Sequence, residues 1–172
     1  PVNPYFSENP VAVTDHGINN STVNRFIQAF NLTADLFQNN TSNLKATLSG
    51  GLDYLQNSTM VYLPEFLQFQ RAQANPGDLL LGRQESFNTN IQAALVYTKT
   101  VGKLNLSSQG GMVRLDFQNS ALFNRGRGLV PGQKNLRQAN VQEINEHAIS
   151  SISEAGIFLQ QEANFDDKII GT

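Results

Sequence analysis

The chain has 172 residues, a net charge of −2 and 15% charged residues, against roughly 25% in soluble globular proteins. That balance gives no electrostatic footprint for nucleic acid. The absence of cysteine excludes disulfides, thiolate metal sites and cysteine nucleophiles. Amides replace the missing charge, with 20 Asn and 15 Gln. No apolar run approaches the roughly 18 residues of a membrane helix, although a β-barrel would not carry one.

Residues Pro1 to Thr22 hold three prolines, Asn19-Asn20 and a glycine, and read as loop. A strand is expected over about Val23 to Leu36. Phe26, Phe30, Leu32 and Leu36 fall on even positions, and Arg25, Asn31, Thr33 and Asp35 on odd ones. A period of two puts the sets on opposite faces. Phe37 to Ser42 is a turn by composition. The second strand, about Asn43 to Gln56, sends Leu44, Ala46, Leu48, Leu52 and Tyr54 one way and Lys45, Thr47 and Asp53 the other. Asn57 to Arg83, with Pro64 and Asn75-Pro76-Gly77, reads as a long loop.

The third strand, about Ser86 to Thr98, opposes Phe87, Ile91, Leu95 and Tyr97 to Asn88, Asn90 and Gln92. Thr100 to Lys103 turns the chain. The fourth strand opens with Leu104 and Leu106 on even positions and closes with Val113, Leu115 and Phe117 on odd ones. A bulge at Gly110-Gly111 would supply the slip. Asn119 to Glu146 reads as a second long loop, in which Leu136, Val141, Ile144 and Ala148 have the spacing of a short helix. A fifth strand covers about Ser150 to Phe165. A turn at Asp166-Asp167 leads into a sixth at Lys168.

Short turns therefore alternate with long loops. Outer-membrane barrels have that pattern, with short periplasmic turns and long extracellular loops. The fold class expected is all-β, an antiparallel up-and-down transmembrane β-barrel segment of about six strands. Six strands do not close a membrane barrel, for which eight is the usual minimum. Residues 1–172 are accordingly expected to be one partial barrel domain, with the plug and remaining strands elsewhere.

Several words in the chain resemble SusC/RagA-type TonB-dependent outer-membrane receptors. Thr22-Val23-Asn24-Arg25-Phe26-Ile27 resembles the entry to a barrel strand in that family, and Asn3-Pro4-Tyr5-Phe6 resembles the loop before it. Gly51-Leu52-Asp53-Tyr54, Phe87-Asn88-Thr89-Asn90, and Gly128 to Gly132 with Asn135-Leu136 are similar to further family segments. Phe158 to Thr172 resembles a family hairpin. The resemblance implies a wall segment of a pore in the bacterial outer membrane. Such pores import oligosaccharides or peptides, are capped by a SusD-like surface lipoprotein and are energised by the TonB system through the plug. It implies no cofactor and no enzymatic activity.

No active-site constellation stands out. His16 and His147 read as exposed loop histidines, and Asp166-Asp167 as a turn in which aspartate bonds nearby backbone. Arg125-Gly126-Arg127-Gly128 reads as a flexible loop, with Arg125 and Arg127 able to meet an acidic substrate or the capping partner. Tyr62, Phe66 and Phe69 could stack on sugars or apolar side chains, or else pack their own loop. The rival class is a secreted all-β carbohydrate-binding or adhesion module.

Overall fold

The computed structural model describes residues 9–166 and 168–171. Asn3-Pro4-Tyr5-Phe6, Asp167 and Thr172 lie outside the described residues. The fold is all-β, a single antiparallel sheet in which six strands follow one another in chain order. They are β1 (Ile18–Gln38), β2 (Ser42–Leu63), β3 (Asp78–Val101), β4 (Leu104–Arg127), β5 (Val141–Phe165) and β6 (Ile169–Gly171). Among the described residues the sheet is open, with β1 and β6 at its edges. β6 covers only the last turnward residues of β5, with Ala163 opposite Gly171 and Phe165 opposite Ile169.

The turns form where the side chains dictate them. After β1, the Asn39 side chain accepts from the backbone N–H of Thr41 at 2.9 Å and of Ser42 at 2.7 Å. That Asx geometry supplies acceptors the turn backbone would otherwise lack. Between β3 and β4 only Gly102 and Lys103 intervene. Gly102 takes φ +59°, which a Cβ would disfavour. Asp166 leaves β5 at φ +53°. Its carboxylate accepts from Lys103 Nζ at 3.1 Å and Lys168 Nζ at 3.0 Å.

Both long loops are shorter than their composition suggests. β2 continues through Asn57 to Leu63 and stops at Pro64, which has no N–H to donate. β3 begins at Asp78, so the first loop is Pro64 to Gly77, with one short helix, α2 (Gln68–Arg71). β4 runs on to Arg127 and β5 starts at Val141. The segment from Val141 through Ala148 is strand, and only Leu136–Gln138 makes a single 3-10 turn. The leading segment is not wholly loop either. Asn9 caps the helix α1 (Pro10–His16) by accepting from Val11 N–H at 3.0 Å, and β1 starts at Ile18.

The expected slip in β4 does not occur. Ser108 Oγ donates to Gln161 at 2.6 Å, a Cβ at Gly110 would meet Leu159, and Ser153 Oγ donates to Asp116. Even positions of β4 therefore stay opposite odd positions of β5 throughout this stretch. Met112, Arg114 and Asp116 share the face of Leu104 and Leu106, and Val113, Leu115 and Phe117 lie on the other. Gly111 answers a packing need instead. A side chain at Gly111 would collide with Phe158 and the backbone of β3.

Compact packing divides the chain into two units. The first comprises Pro1–Arg25, Leu55–Ser86 and Asn119–Ser150. It holds a core of Tyr62, Leu79, Leu129 and Ala139, with Ile18, Met60, Leu81 and Leu136 against it. The second comprises Phe26–Tyr54, Phe87–Gln118 and Ser151–Thr172. Each long strand contributes a stretch to it that exceeds the roughly 9–11 residues a tilted strand needs to cross a bilayer.

Candidate functional site

In the first unit, the two loops are tied together by backbone. Gly128 N–H donates to Gly77 at 3.0 Å, and Asn140 N–H donates to Gly128 at 3.0 Å. Gln70 is buried, and its side-chain oxygen accepts from Gly77 N–H at 3.1 Å. Gly77 and Gly128 both take positive φ, so the crossing is built on backbone that only glycine adopts readily.

This framework decides where the sequence-predicted residues go. Tyr62 is 5% exposed and belongs to the core. The Lys134 ammonium lies 5.3 Å from its ring centroid, within cation–π range. Burial, and then the Glu65 carboxylate, push the Tyr62 phenol above its ordinary pKa. Phe66 is exposed, and its ring meets His16 edge-on at 5.1 Å. Phe69 lies within α2 and is half-buried. His16 ends α1, and His147 lies within β5 rather than in a loop.

Arg125 and Arg127 are strand residues at the end of β4, not members of a flexible loop. Arg125 donates from Nε and Nη2 to both oxygens of Asp78, a carboxylate largely removed from solvent. That hydrogen bonding raises the guanidinium further above its usual range. Arg127 pairs with Glu143. Between them, Gly126 leaves room that Leu136 and Ala139 fill. Both arginines thus have internal partners, and their remaining exposed edges are what a ligand would meet.

The second unit presents two unlike faces. On one, Phe26, Phe30, Leu32, Leu36, Ile91, Leu95, Met112, Ile157 and Leu159 are all exposed. Ile157 and Leu159 are 88% and 90% exposed. An apolar patch of this breadth marks an interaction surface rather than ordinary scatter. The other face carries a groove of about 310 Å³ lined by Gly51, Asp53, Asn88, Asn90, Leu115 and Phe117. Amides and a carboxylate offer hydrogen bonds there beside the apolar Ile27, Leu115 and Phe117. Lys45 and Asp35 lie 3.6 Å apart on this polar face.

A bulge at Gly110-Gly111 would put Phe117 on the apolar face and Arg114 and Asp116 on the polar one, which hides both the groove and this ion pair from the sequence. Unbroken parity through Gly110-Gly111 is the signal that finds all three. Among the described residues no cluster of three His, Asp or Glu could hold a metal ion. The chain matches no protein-family model and no curated protein.

Proposed function

We propose that these residues form part of the wall of an outer-membrane β-barrel transporter of the TonB-dependent SusC/RagA type. The carrying observation is the second unit: adjacent antiparallel strand stretches with a broad exposed apolar face and an amide-lined opposite face. In a bilayer the first face meets lipid and the second lines the lumen, the alternation a barrel wall requires. The ion pair Lys45–Asp35 then lies on the lumen side, where charge is tolerated. The interlocked loops of the first unit are the extracellular part. They form a shaped surface for a SusD-like lipoprotein or for an oligosaccharide or peptide about to enter. The protein binds and conducts, with no covalent chemistry, in the bacterial outer membrane, and the TonB system acts through a plug outside these residues.

The second reading, a secreted carbohydrate-binding or adhesion module, is supported by the Asn88–Asn90–Phe117 groove taken alone. It gives the exposed apolar face nothing to meet. Fractionation separates the two. The native polypeptide containing Val23-Asn24-Arg25-Phe26-Ile27 is expected in the outer-membrane fraction, extracted only by detergent and much larger than 18.9 kDa. A detergent-independent soluble species of that mass overturns the transporter reading in favour of the module.

A further inference from the structure

We infer that a cleft at the turn end of the polar face is a seat for a primary ammonium group, with Glu162 as its counter-ion. The cleft, of about 220 Å³, lies within the second unit and is lined by Thr98, Thr100, Asn105, Ser107, Glu162 and Asn164. Register explains why these residues meet. Only Gly102 and Lys103 separate β3 from β4, which sets Thr100 opposite Asn105 and Thr98 opposite Ser107. Thr100 Oγ1 donates to Asn105 Oδ1 at 2.8 Å. The pairing of β4 with β5 that joins Ser108 to Gln161 sets Ser107 opposite Glu162 and Asn105 opposite Asn164. Lys99 and Leu106 also border the cleft, but they hold the alternate positions, whose side chains belong to the other face.

Chemistry selects the occupant. Glu162 is half-buried, and among the described residues its carboxylate has neither a hydrogen bond nor an ion pair. Withdrawing a carboxylate from water without a partner is costly. Hydroxyl and amide oxygens stand around it, so the cleft offers acceptors to a positively charged donor. Lys45, on the same face, is already paired with Asp35. An anion would meet the Glu162 carboxylate unopposed. A bare metal ion gathers several oxygens at about 2.0–2.6 Å, which one carboxylate in a space of this size serves poorly. An ammonium brings three donors and no acceptor on a flexible stem, and so satisfies the carboxylate and two neutral oxygens together. The seat stands on the face of β3, β4 and β5 alone. The transporter reading adds only that this face is the lumen, where the seat would hold an amine of the permeant.

The test uses the whole native polypeptide in mild detergent. The probe is Nα-acetyl-lysine amide, and Nα-acetyl-norleucine amide is the uncharged control with the same stem. Calorimetric titration is expected to show a single site for the lysine derivative and none for the control. Glu162→Gln should weaken binding roughly tenfold, the effect of losing a charge-assisted hydrogen bond. Ser107→Ala should weaken it about threefold, as the loss of a neutral one does. Glu154→Gln removes the same charge from the same face about 26 Å along β5 and should leave binding unchanged. Equal weakening by Glu154→Gln and Glu162→Gln overturns the seat in favour of a diffuse field. Equal binding of probe and control, or no binding of the probe, overturns it too, and calcium that displaces the probe at micromolar concentration assigns the cleft to a metal instead. Whether the polypeptide needs detergent bears on the transporter reading alone.

Discussion

The two units solve opposite packing problems with the same strands. In the first, Tyr62, Leu79, Leu129 and Ala139 withdraw from solvent, and charges pair internally, as Asp78 does with Arg125. In the second, Leu32, Ile91, Met112, Ile157 and Leu159 stay in the open, and glycine or alanine sits where strands approach closely. The hydrophobic effect drives the first arrangement in water. It would penalise the second there, at about 25 cal/mol for each Å² of apolar surface left wet. The transporter reading gives the two units different surroundings, and so reconciles both arrangements in one chain.

Substitutions can break this comparison. Leu79 is fully buried, so Leu79→Ala is expected to cost the most, about 2–5 kcal/mol for the cavity and lost transfer. Denaturant unfolding should register it whatever surrounds the second unit. Ile157→Arg comes next, at about 2–4 kcal/mol if the residue faces the bilayer midplane. Urea titration in liposomes measures it. In a soluble sheet, the same change at an exposed position stays within about 0.5 kcal/mol, and such a result would sink the membrane assignment.

Smaller effects sharpen the contrast within each unit. Asp78→Ala removes the partner of Arg125 and is expected to cost about 1–2 kcal/mol, moderated because the guanidinium stays partly solvated. Restoring neutrality in Asp78→Ala/Arg125→Ala should recover part of that loss, and a double-mutant cycle reads the coupling. Asn39→Ala deletes the acceptor of the first turn and should cost about 1 kcal/mol, seen as faster amide exchange at Thr41 and Ser42.

The alternation of Phe26, Phe30, Leu32 and Leu36, and of Leu44 to Tyr54, made the membrane-length strand stretches readable, because one-sided burial writes a period of two. The extensions were hidden by chemistry. Asn57-Ser58-Thr59 looks like loop by composition, yet Met60 and Tyr62 supply the alternate contacts that keep β2 extended. Leu79-Leu80-Leu81 has no alternation, because burial there is set by the packed loops. Gly110-Gly111 reads as a bulge in the sequence, whereas in the fold Gly111 is required by the close approach of the β3 backbone and Phe158. Arg125 and Arg127 were recognised as notable residues. Their partners, Asp78 and Glu143, are distant in sequence and visible only in the fold.

Pairing in strict chain order also bears on how the protein is made. Every long strand finds its partner across one turn or one modest loop, so little chain entropy is lost in closing each hairpin, since that cost grows only with the logarithm of loop length. Folding can then advance strand by strand along the chain. Each completed strand exposes a fresh row of N–H and C=O groups to capture the next, and the growing edge is the template. The edge that builds the sheet is also the one through which unfinished copies of the chain could pair with each other.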